Sequence, residues 1–163
     1  MKKISFAIVA LIAILGFSNC TKNNTTTVNN AFSFGKTVSP NQWTPSQDGS
    51  SFEFSVDLSK IIPSGFKYQS DGILVYSSMD GKFYDPVPSS VNIPNFSTYF
   101  YVSANIVTLV LYPINGGTVT NSSPKPSGNI DFNVVVVQAS DLGQISNVNT
   151  KDYNAVKAAF HLK

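Results

Sequence analysis

Of the side chains equipped for covalent or acid–base chemistry, this 163-residue chain carries one cysteine, one histidine and nine carboxylates. The cysteine, Cys20, stands in GFSNCTKNN, directly after an apolar run and directly before a polar one. A single cysteine cannot form an intrachain disulfide. In an oxidising compartment a free thiol is a liability, so its presence calls for a reason. Phe17-Ser18-Asn19 before Cys20 has the form of a lipobox, after which a signal peptidase cuts and the lipid-bearing cysteine becomes residue one. Phe17 stands where Leu is usual, and Asn19 where Gly or Ala is usual. Ordinary cleavage after Ser18 is the alternative, because Gly16 and Ser18 satisfy the small-x-small rule of secretory signals. The spacing of Cys20 from the apolar run, and its being the sole cysteine, favour lipid attachment.

The other groups give little support to catalysis. His161 falls near the end of a predicted terminal helix and flanks its apolar stripe, the position of a surface residue near a helix C-terminus. A Ser-His-Asp triad would have to be built on that one position. There is no HExxH, no Cys–His cluster and no metal-ligand spacing, so neither a metal nor another cofactor is expected. Asp80 and Asp85 flank a predicted hairpin turn, and a pair of acids can run glycoside hydrolysis. That carboxylate-dependent hydrolase ranks behind a non-catalytic, lipid-anchored envelope protein with a structural, adhesive or partner-binding role, and behind a carbohydrate-binding module. Asp80-Gly81 is also ordinary turn chemistry, repeated at Asp71-Gly72 and Asp48-Gly49. Gly116-Gly117 follows no strand-to-helix junction and does not form a phosphate loop.

Aromatic residues are the more informative surplus. Tyr99 and Tyr101 share one strand face, and Tyr76, Tyr84 and Trp43 add further amphipathic rings. On the surface of a sandwich such rings stack on the apolar faces of sugars. In the interior they supply large buried area with one polar tip. Core positions are the favoured reading, and these five residues form a candidate ligand face as the alternative.

Composition narrows the partners. Removing Lys2 and Lys3 with the N-terminal segment leaves nine lysines against nine acids, so the remainder is close to neutral. The chain has no arginine, which disfavours nucleic-acid recognition by clustered cations and bidentate forks. Charged residues are 12% of the chain, about half the usual share. Ser, Thr and Asn do the solubilising, as suits an extracytoplasmic β-rich domain.

The elements that must position these residues follow from periodicity. Met1-Lys2-Lys3 and the apolar Ile4 to Phe17 read as a secretory signal over 1–19, too short to span a membrane, which takes roughly 20 residues. Residues 20–30 form a polar tether with one apolar residue in TKNNTTTVNN, reaching about 18 Å as a random coil. One domain is expected over 31–163. SFEFSVDL (51–58) alternates strictly and reads as a half-buried strand. Ile73 to Ser78 and Lys82 to Val87 form a hairpin around Met79-Asp80-Gly81, and Tyr99 to Ser103 and Ile106 to Tyr112 a second around Ala104-Asn105. IDFNVVVV (130–137) ends fully apolar and reads as a central strand covered on both faces. Phe32 to Val38 is a weaker strand, and 115–128 a long loop. The predicted fold is mostly β: a single antiparallel, Ig-like sandwich of about seven or eight strands. One helix closes it at about 150–161, capped by Asn149 or Thr150, with Tyr153, Val156 and Phe160 on one stripe packed over an end or edge.

Three segments together, GILVYSSMDGKFYDPVP, YFYVSANIVTLVLY and IDFNVVVVQASDL followed by NTKDYNAVKAAFHLK, resemble small lipoproteins of Bacteroidota over residues 31–163. Some of that group carry a collagen-like stretch after the lipidated cysteine, and this chain has none. The resemblance implies a β-sandwich-like domain with a short C-terminal helix and an envelope location. It brings no active site. Surface-displayed members tend to carry acidic residues soon after the cysteine, and the tether here has none. Outer-membrane attachment through Cys20 is expected, with the periplasmic side and the cell surface both open. The expected partners are the membrane itself and an envelope protein or glycan.

Overall fold

A computed structural model describes residues 31–62, 67 and 69–163 of the chain. The expected signal peptide at 1–19, Cys20, the tether and the turn at 63–65 lie outside the described residues. Among the described residues, nine antiparallel strands form two sheets: β1 (Ala31–Val38), β2 (Thr44–Pro45), β3 (Phe52–Asp57), β4 (Gly72–Ser78), β5 (Asp85–Val87), β6 (Ser89–Ile93), β7 (Phe96–Ser103), β8 (Ile106–Pro113) and β9 (Ile130–Val137). One sheet has the order β1-β9-β4-β5 and the other β2-β3-β8-β7-β6. Two short helices follow, α1 (Leu142–Ile145) and α2 (Tyr153–Ala159). This is the mostly-β sandwich with a C-terminal helix that the apolar periodicity predicts.

The period-two pattern explains the packing between the sheets. Phe52 and Val56 of β3, and Val107, Leu109 and Leu111 of β8, are buried on the inner side of the five-stranded sheet. Of these, Phe52, Val107, Leu109 and Leu111 share one core cluster with Ile130, Phe132, Val134 and Val136 of β9 from the other sheet. Because β9 lies between β1 and β4, its alternate residues Val135 and Val137 point to the opposite side. There they form a second apolar cluster with Tyr76, Val156 and Phe160. The unbroken valine run thus serves two cores at once, and α2 supplies the outer cover. The expected docking over an end or edge is corrected: α2 packs on the face of the four-stranded sheet, where Val135 and Val137 need covering.

Local chemistry sets the boundaries. Asp152 caps α2, its carboxylate accepting from the amides of Asn154 and Ala155 at 2.9 and 3.3 Å. Asn149, the expected cap, instead organises the preceding turn by accepting from the Lys151 amide. The helix therefore starts later than expected, and His161 lies past its end with φ 50. In the β4–β5 hairpin, Asp80 accepts from the amides of Lys82 and Phe83 at 2.8 and 3.0 Å. Those amides are taken from strand pairing, so β5 begins only at Asp85 instead of Lys82. Asp71-Gly72, expected as a turn like the others, opens β4 opposite Val137. A Cβ on Gly72 would come within 2.6 Å of Leu142 Cδ2, so the glycine lets α1 approach the sheet closely.

Candidate functional site

The outward face of the five-stranded sheet carries the main candidate surface. The tight β7–β8 hairpin, turned by Ala104 at φ 52, pairs Ser103 with Ile106 and fixes the register along both strands. That register sends Tyr99 and Tyr101 of β7 and Ile106 and Tyr112 of β8 outward, each 41–49% exposed. Tyr99 and Tyr112 meet edge to face, with centroids 5.5 Å apart and planes at 85°. Val110, on the same outward face opposite Tyr99, is nonetheless buried, so the neighbouring side chains shelter it. The rings are not coplanar: the Tyr99–Tyr112 pair offers one ring face and one ring edge. Tyr112 is absent from the five residues chosen by sequence reasoning. The two-residue hairpin loop held the signal, because its register places Tyr112 diagonally beside Tyr99.

The other three rings lie elsewhere. Trp43 is fully buried between the sheets, edge-on to Phe54 of β3 and Phe132 of β9 at 6.2 and 6.1 Å. It is a core residue and takes no part in a ligand face. Tyr76 is 1% exposed and sits beneath α2. Its ring lies 5.1 Å from that of Tyr153, which in turn lies 5.2 Å from half-buried Tyr84. Its hydroxyl donates to the Thr150 carbonyl at 2.8 Å. These two tyrosines of the proposed face thus fasten the terminal helix.

Burial first, then the charge of Asp152, pushes the Tyr76 phenol up to about 12. Burial also raises Tyr153. A tyrosine whose folded pKa is raised contributes stability that is fully present below its ordinary value near 10 and lost as pH rises through the folded value. Helix docking is therefore expected to weaken between about pH 10 and 12, read as a change in near-ultraviolet circular dichroism. Tyr76→Phe should cost about 1 kcal/mol through the lost hydrogen bond. It should also blunt the alkaline change; an unaltered alkaline transition in that variant would count against this assignment.

Asp80 and Asp85 line one shallow cleft of about 210 Å³. Asp80, however, is committed to the loop: besides two backbone amides it accepts from the Ser78 hydroxyl at 2.9 Å. The Phe83 and Lys82 amides and Ser78 hold its carboxyl below the ordinary range. At neutral pH it is a charged acceptor organising a turn, which is poor equipment for a proton donor. Asp48 is held similarly, down to about 2, by the Ser50 amide and the Ser46 and Ser50 hydroxyls. Among the described residues no three His, Cys, Asp or Glu side chains gather as a metal site.

A second concavity, about 290 Å³, opens where the β8–β9 loop folds over one end of the sandwich. The loop is not the featureless connection its sequence suggests. Val119 plugs the core at 4% exposure, and its amide donates to the Gly49 carbonyl at 2.7 Å. Lys125 reaches back to the Trp43 carbonyl at 2.9 Å and lies over the Phe52 ring.

Fold and surface together define a β-sandwich with an aromatic sheet face and an anchored end loop. The chain matches no known protein-family model, no curated protein and no solved structure. No helix among the described residues is long and apolar enough to cross a membrane.

Proposed function

We propose that the chain is a lipid-anchored protein of the cell envelope, attached to the outer membrane through Cys20, which acts by binding rather than catalysis. The sandwich stands on the tether of residues 20–30 and presents its five-stranded sheet to an envelope partner in a structural or adhesive role. One observation carries the binding part: Tyr99, Tyr101, Tyr112 and Ile106 remain exposed on a face with its own buried residue, Val110. Large apolar rings gathered on one surface suit contact with a partner. The anchor rests on the position of Cys20 between the apolar run and the polar segment. Cys20→Ala is expected to release the protein from the membrane fraction or to leave an uncleaved precursor. Normal processing with full membrane retention in that variant would overturn the anchor.

A second reading, a carbohydrate-binding module, is favoured by the same tyrosines. Rings of this kind stack on sugar C–H faces, and Glu53 of β3, paired with Val110 on the same face, can accept from sugar hydroxyls.

A further inference from the structure

We propose that the cleft under the β8–β9 loop binds one uncharged sugar ring. This rests on the carbohydrate-binding reading and assigns that reading its primary subsite. The first argument is charge. None of the residues lining the cleft is ionisable. Two smaller clefts differ: one includes Lys82, Asp85, Lys151 and Asp152 in its lining, the other Asp80 and Asp85. Lys125, whose ammonium lies 5.9 Å from the Phe52 ring, is not among the lining residues and is engaged by the Trp43 carbonyl, so an ionic ligand would meet no counter-charge along the lining itself.

The second argument is the pattern of apolar and polar groups. The lining includes the apolar residues Phe96, Pro113 and Val119, with Phe52 itself fully buried, and the polar residues Asn95, Asn115 and Thr118. Amides and hydroxyls both donate and accept, as sugar hydroxyls require, and the apolar lining matches a sugar's C–H face. The volume lies at the lower edge of the roughly 300–1,000 Å³ range of small-molecule sites, enough for one ring and not for a chain.

The third argument is preorganisation. Left-handed backbone gathers at the rim: Asn95 at φ 70, Gly116 at φ 68 and Gly117 at φ 106. A Cβ on either glycine would meet nothing within 4 Å, so the protein's own packing does not fill the space above them. That open backbone allows a ligand close approach. The rim is already held by the Ile114 amide on the Asn95 carbonyl at 2.9 Å, together with the Val119 and Lys125 bonds. A site fixed before binding loses little to ordering on binding.

Purified full-length protein in detergent should be titrated with methyl glucoside, methyl N-acetylglucosaminide, their neutral trisaccharides and a uronic acid, by saturation-transfer NMR. A neutral monosaccharide is expected to bind, and its trisaccharide about equally well, because the cleft takes one ring. Asn95→Gly keeps the positive φ and removes the amide. Combined with Asn115→Ala, it should weaken both ligands about tenfold or more with unchanged circular dichroism. Tyr112→Ala, on the opposite face of β8, should leave binding in the cleft unchanged. The proposal is overturned if no neutral sugar binds, if the uronic acid binds as well as the neutral sugars, or if the double variant binds normally. In the last case, loss of binding in Tyr112→Ala would keep the carbohydrate reading and remove only the cleft. Membrane retention through Cys20 is measured separately and is untouched by any of these results.

Discussion

Trp43→Ala is expected to destabilise the sandwich by about 3–5 kcal/mol, the largest single loss foreseen for this chain. The ring is fully buried and touches Phe54 from one sheet and Phe132 from the other, so truncation opens a cavity at the seam between the sheets. Whole-domain stability is typically about 5–15 kcal/mol, so the loss is a large fraction of it. The midpoint of thermal unfolding should fall by on the order of 10–20 °C, measured by calorimetry. Trp43→Phe should cost much less. The indole Nε1 has no hydrogen-bond partner in the structure, so losing it forfeits area without breaking a bond. Equal losses for the two variants would mean that the indole ring is not the wedge between the sheets.

Val156→Asp is expected to undock the terminal helix while leaving the space between the sheets intact. Val156 is fully buried against Val135, Val137 and Tyr76, in a cluster separate from the core between the sheets. An unpaired carboxylate there costs several kcal/mol, more than a seven-residue helix can hold against it. The expected signature is early proteolysis after about residue 150, with dye binding to the exposed valine face and retained β-sheet circular dichroism. The Tyr76 phenol should also return from about 12 toward its ordinary value near 10 as the helix leaves. Concerted loss of all β structure would show that the two clusters form one cooperative unit.

How much of this was legible depended on whether a residue's role follows from its neighbours in sequence. The alternation of Phe52, Phe54 and Val56 in β3 and the apolar end of β9 could be read directly, because burial on one or two faces leaves a period in the chain. Why β9 is covered twice could not, since that depends on α2 folding back from 16 residues downstream. Val119 gives no periodic signal: it is one apolar residue in a polar loop, and tertiary contact alone buries it. Ring location was equally opaque. Trp43, Tyr76 and Tyr99 have the same amphipathic chemistry, and only the register separates core from surface. Where a register could be counted, as across the two-residue β7–β8 turn, Tyr112 could have been placed in advance. The exposed surface was thus partly legible, and the end cleft, built from three separate segments, was not.

The most direct test of the anchored-envelope proposal is the mass of the mature N-terminal peptide from membrane-extracted protein. A chain beginning at Cys20, with the added mass of a diacylglycerol thioether, is the expected result. A chain beginning at Asn19 with an unmodified Cys20 thiol, as ordinary cleavage after Ser18 would leave, would contradict it.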